Sequence, residues 1–154
     1  MEKCADFQEL TPHVLLDAVE EALDRPMTGL THPLNSYINR VYELQARDGT
    51  RFIAKFYRPG RWSAEAIDEE HAFVLECAEA EIPVAPPLTM VDGRTRGEVI
   101  GISFAVYEKK SGRELEPIHD DDWRRLGHVV GRLHLTGSSK DAPARVRMHP
   151  AEIG

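Results

Sequence analysis

"TRFIAKFYRPGRW", residues 50–62, alternates like a half-buried strand, yet an ammonium, Lys55, stands inside the run. Just upstream, Val41, Tyr42 and Leu44 lead into an Asp48-Gly49 turn signal, and Phe52, Ile53 and Phe56 follow it. Two β-like runs around an Asp-Gly pair make a hairpin, with Lys55 on its second strand. "RPGRW" then breaks the strand, and Ser63 caps a helix to about Ala80, with Ile67, His71, Val74, Leu75 and Ala78 on one face. Glu69 and Glu70 belong to that helix. A helix laid across the sheet presents one of these carboxylates to the ammonium. Adjacent helical residues project about 100° apart, so only one of the two faces Lys55 well.

Working outward, "LTPHVLLDAVEEALDRP" predicts a helix over 11–24, capped by Thr11, opened by Pro12 and ended by Pro26. A first strand begins near Gly29 and gives way to the turn-rich "THPLNSYINR". "EIPVAPPL" is a proline-stiffened connector, because proline lacks an amide hydrogen and restrains the residue before it. "LTMVDG" and "GEVIGISFAVYE" read as a second β pair turning at Asp92-Gly93. "KKSGRELEP" is a polar crossing, and "DDDWRRLGHVVGRLHLTG" a final helix with Trp123, Leu126, Val130, Leu133 and His134 at helical spacing. The tail from Ser138 has little periodicity. The order of elements predicts an α+β layer on a mostly antiparallel sheet, with one face for the long helix and one for a ligand.

The 154 residues suit one compact unit, and 42% hydrophobic with 29% charged residues is ordinary for a globular chain. A net charge of −7 removes the electrostatic reason to expect nucleic acid or an acidic membrane. Cys4 and Cys77 form no CxxC, so free thiols in a reducing cytoplasm are expected rather than a zinc knuckle or a disulfide framework. No apolar run approaches the ~18 residues of a membrane span.

"LNSYINRVYEL", "FIAKFYRPGRWSAEAIDEEHAF", "EIPVAPPL", "FAVYEKKSGRELE" and "LGHVVGRLH", in that order, resemble the N-terminal part of the bacterial stress-response serine/threonine kinases of the aminoglycoside-phosphotransferase-like superfamily. The resemblance implies a protein-kinase-like N-lobe over 1–107, and a hinge with the first helix of a truncated C-terminal lobe over 108–154. It implies ATP as cofactor with Mg2+, and a protein hydroxyl as acceptor in the complete family protein. Residue by residue, it implies Lys55 as the phosphate lysine and Glu70 as its helix partner, with Glu69 the alternative. Asn35, Ser36 and Tyr37 correspond to the loop over the phosphates, within 33–40. Phe104 to Tyr107, including Val106, correspond to the strand into the adenine-contacting hinge at 105–109, and Arg113 with Glu114 to the turn beyond. One position departs: an acidic residue is expected where Ile38 stands.

The family's H-G-D-x-x-x-x-N loop and its later metal-binding Asp are not found, so neither a catalytic base nor a metal ligand is assigned within these residues. "HDDDW" lacks an Asn at the required offset, and its acidic run is read as a favourable helix start. Plainer readings stand beside these. Lys55 could snorkel from an edge strand, His71 and His134 are read as core histidines, Trp62 and Trp123 as core or lobe-packing residues, and Arg58 with Arg61 as surface ion-pairing groups. Two other functions are carried: a non-catalytic nucleotide- or protein-binding module that pairs with a full-length kinase or its substrate and whose exposed lobe surface would favour self-association, and a small-molecule phosphotransferase of the aminoglycoside type.

Overall fold

In a computed structural model, which describes residues 6–112 and 119–145, the chain enters helix α1 (Pro12–Leu23) where the Thr11 hydroxyl accepts the Val14 N–H at 3.4 Å. Five strands follow around a second helix: β1 (Met27–Leu34), β2 (Arg40–Ala46), β3 (Arg51–Phe56), α2 (Ala64–Glu79), β4 (Gly97–Val99) and β5 (Ile102–Glu108), before α3 (Asp120–Gly137). They form one antiparallel sheet in the order β1-β2-β3-β5-β4. The α+β expectation therefore holds, as do the hairpin around Asp48-Gly49 and the extents of all three helices.

Register divides the sheet into two faces with different chemistry. Leu44, Ala46, Phe52, Ala54, Phe56, Ile102, Phe104 and Val106 alternate onto one face, where Leu15 and Val19 of α1 complete a continuous core with Met27 and Met90. Burying a Leu or Val side chain this fully contributes about 1.5–3 kcal/mol. The residues between them, Glu43, Ile53, Lys55, Ala105 and Tyr107, lie on the opposite face, aligned in the rows Val41–Lys55–Ala105 and Glu43–Ile53–Tyr107. Helix α2 covers part of that face through a small cluster of Tyr57, Ile67 and Ala105. The long helix and the ligand face are thus not on opposite sides: α1 packs on the core face, and α2 shares the other with Lys55.

Several expectations are corrected. Thr31-His32-Pro33-Leu34 belongs to β1 rather than to a turn. Asp92-Gly93 does turn the chain, with Gly93 N–H donating to Met90 C=O, but it joins no strands; the second hairpin turns at Ile100-Gly101 between Val99 and Ile102. Asp-Gly is the stronger turn signal in sequence, whereas Ile100 is a β-branched residue at φ 48°. His134 is exposed. Trp123 is 58% and Trp62 37% exposed, so neither is a core residue here. Arg113 and Glu114, with Cys4, lie outside the described residues. No helix among the described residues is long and apolar enough to cross a membrane.

Two backbone positions generate opposite predictions. Gly97 faces Phe104 across β4 and β5, and a Cβ there would lie 2.5 Å from the ring's Cζ. That ring stacks on Phe56 at 5.4 Å, so it has little room to yield. Gly97→Ala should destabilise the fold by about 1–3 kcal/mol through overpacking. Ile100→Asn should stabilise it by about 1 kcal/mol, since Asn tolerates the left-handed region and Ile does not. Thermal unfolding followed by circular dichroism checks both signs.

Candidate functional site

Lys55 and Glu70 meet because β3 and α2 are joined by a short turn and locked side by side. Ser63 Oγ accepts the Ala66 N–H at 3.1 Å, which starts α2 with seven residues between it and the end of the strand. Asp68 receives two bonds from Arg96, tying the same helix to the approach of β4. On the face so presented, Lys55 Nζ lies 3.3 Å from Glu70 Oε1, with 25% and 36% of the two side chains exposed. This resolves the choice between the two glutamates. Glu69 instead accepts the Ala144 N–H, at 3.0 Å to one oxygen, so it anchors the segment after α3 and is not a bare solvated residue.

Beneath the ion pair lies a polar chain. The Lys55 ammonium sits 4.3 Å from the centre of the Tyr57 ring. The Tyr57 hydroxyl is 2.9 Å from His71 Nε2 and 3.4 Å from the Tyr107 hydroxyl, and His71 Nδ1 is 2.8 Å from Thr95 Oγ1. Burial pushes both tyrosine hydroxyls above their usual range and pushes the imidazole below its own, so His71 favours the neutral form despite the nearby carboxylates of Glu70 and Asp68. His71 is the core histidine expected from its apolar helix face. Tyr57 and Thr95 were not foreseen. Tyr57 continues the odd-numbered face of Ile53 and Lys55 past the strand end, and that alternation is the signal that could have found it.

The other expected residues fall around this centre. Asn35, Ser36 and Tyr37 form the exposed loop between β1 and β2, with Tyr37 wholly exposed. Leu34 pairs with Val41 and Val41 with Lys55, so the loop springs from the sheet at the lysine's own level. Asn39, also unforeseen, ties the loop to the "RPGRW" turn by accepting the Arg58 N–H at 3.1 Å. Tyr107 is on the Lys55 face. The Val106 side chain is fully buried on the core face and its carbonyl accepts the Leu88 N–H at 2.8 Å, so its side chain is not available to a ligand. At the far end of the same face Glu43 accepts bonds from Arg51 at 2.7 Å and Lys109 at 2.8 Å, which hold its carboxyl below the usual range and tie the end of β5 to β2.

An ammonium fixed by a carboxylate on an open sheet face, beside an exposed loop, is suited to holding an anion such as a phosphate chain. Among the described residues no group of three or more His, Cys, Asp or Glu is placed to hold a metal ion.

Comparison with known proteins places the chain in a family. Stress response kinase A of Escherichia coli (strain K12) is 45% identical over 131 residues, 85% of this chain and 39% of the relative. Serine/threonine protein kinase RdoA of Salmonella typhimurium (strain LT2) is 44% identical over 134 residues, 87% of this chain and 40% of the relative. The chain thus spans about two fifths of the length of these relatives. Among solved structures, an amicoumacin kinase in complex with AMP-PNP and Ca2+ superposes with a TM-score of 0.73 at 23% identity, covering 92% of this chain and 45% of that one. A spectinomycin phosphotransferase in complex with ADP gives 0.67 at 10% identity, over 88% and 41%. At these identities the likeness is one of fold. Residues 31–153 match the phosphotransferase enzyme family, and the chain belongs to it.

Proposed function

We propose that these residues form the ATP-binding lobe of a serine/threonine protein kinase of the stress-response type. Lys55 holds phosphate oxygens of ATP, Glu70 orients Lys55, residues 33–40 cover the phosphates, and residues 105–109 meet the adenine. The observation that carries the reading is the Lys55–Glu70 contact at 3.3 Å on an open face. Magnesium enters only as the companion ion of ATP. The base that orients the acceptor hydroxyl, and the metal ligands, belong in this reading to other parts of the complete protein. A protein substrate is favoured over a small molecule by the kinase names of the relatives near 45% identity, whereas the antibiotic kinases share the fold at 10–23%. A cytoplasmic setting fits Cys77, a buried free thiol.

A second reading, a binding module that pairs with another copy of itself, is favoured by one observation. Helix α3 has no buried residue, and its Trp123, Leu126 and Val130 are 58%, 37% and 43% exposed. Exposed apolar rows of this kind are typical of contact surfaces.

Titration calorimetry of magnesium-ATP into the chain tests the first reading. Binding is expected in the high micromolar range or weaker, about 5 kcal/mol or less. Lys55→Ala should weaken it about tenfold or more, the scale of a lost charge-assisted contact, and Glu69→Gln should leave it unchanged. Binding that survives Lys55→Ala intact would contradict the proposal. Sedimentation of the chain against a Trp123→Glu variant tests the second: self-association lost in the variant supports it, and a monomer at all concentrations removes it.

A further inference from the structure

Lys55–Glu70 is only one of two rungs between β3 and α2. Two residues after Lys55, just past the end of β3, stands Tyr57, and directly after Glu70 on the helix stands His71, with their hydroxyl and imidazole 2.9 Å apart. The two rungs differ in kind. The ion pair is partly exposed, and pairs of that sort contribute too little to fix a helix against a sheet. The phenol–imidazole rung is buried, at 3% and 2% exposure.

The buried rung is also fully bonded. His71 uses both ring nitrogens, Nε2 toward Tyr57 and Nδ1 toward Thr95 Oγ1, and the Tyr57 hydroxyl has Tyr107 as a second partner. A chain of this kind is satisfied in either direction by neutral groups, and breaking it leaves a buried polar atom without a partner. The Tyr57 hydroxyl end is thereby anchored, and its buried ring is the surface over which the ammonium lies at 4.3 Å. A cation over an aromatic face is held by attraction to the negative face of the ring.

We infer that Tyr57 and His71 are positioning residues for the Lys55 ammonium, the buried rung holding α2 at the distance where Glu70 reaches the lysine and the Tyr57 ring giving the lysine a second seat. For its purpose this rests on the ATP-binding reading above. For its geometry it does not. A purely structural role would make the rung matter to stability alone. A positioning role makes it matter to nucleotide through Glu70.

A double-mutant cycle on magnesium-ATP affinity separates the two. Tyr57→Phe keeps the ring and removes the rung. It should weaken binding by about three- to tenfold in the parent chain and less than about twofold in a Glu70→Gln background, because the partner through which it acts is already gone. Equal losses in both backgrounds, or no loss in either, would overturn the inference. A nucleotide-free readout runs alongside: the ε-methylene proton resonances of Lys55, assigned with Lys55→Arg. In the unmodified chain they should be displaced upfield by the Tyr57 ring current and should return to the free-lysine position in Tyr57→Leu, which removes the ring. Undisplaced resonances in the unmodified chain would overturn the inference without any variant having to fold. A chain that shows the displacement yet binds no ATP would remove the nucleotide reading and leave the placement of Lys55 standing.

Discussion

Lys55 stands between two fully buried neighbours, Ala54 and Phe56, and that alternation is the constraint on which the other features depend. A strand with period two must send its even and odd residues to opposite faces, so packing Phe52, Ala54 and Phe56 against α1 forces Ile53, Lys55 and Tyr57 onto the other side. A slip of one residue would place the ammonium in a core of Leu15, Val19 and Phe104. The apolar face thus fixes the register, and the register places the charge. From that placement follow the pairing with Glu70, the shared level with the β1–β2 loop, and the row through Ala105 toward the end of β5.

The energetics separate what holds the fold from what equips the face. The α1 side is apolar and continuous, and it supplies the burial. The other side is held by polar groups that are each matched: His71 to Tyr57 and Thr95, Glu43 to Arg51 and Lys109, Asp68 to Arg96. No buried side-chain nitrogen or oxygen among the described residues lacks a partner. Matched polar groups leave room on that face for a charged ligand, which a second apolar core would have excluded.

How much of this was legible in the sequence follows from the range of the interactions. The helices were readable because Thr11, Ser63 and the apolar stripes after them act within a turn or two, and the hairpin because Asp48-Gly49 is a local signal. The strand-turn-helix order brought Lys55 to the pair Glu69 and Glu70, and the preference for Glu70 came from the resemblance. The hairpin at Ile100-Gly101 was hidden because its turn places a β-branched residue in the left-handed region, against local preference. Thr95 was hidden because it reaches His71 from 24 residues away. The burial of His134, and the core alternative for Trp123, were misjudged because helical spacing shows that a face is apolar and says nothing of whether another element covers it.

The most direct test of the two-face account is a map of backbone amide shifts on adding magnesium-AMP-PNP to the isotopically labelled chain. The account predicts perturbations concentrated at Asn35 to Asn39, at Ile53 and Lys55, at Glu70, and along Ala105 to Lys109, with α1 and its contacts unmoved. Perturbations centred on α1 and the Met90 side of the core, or confined to α3, would contradict it.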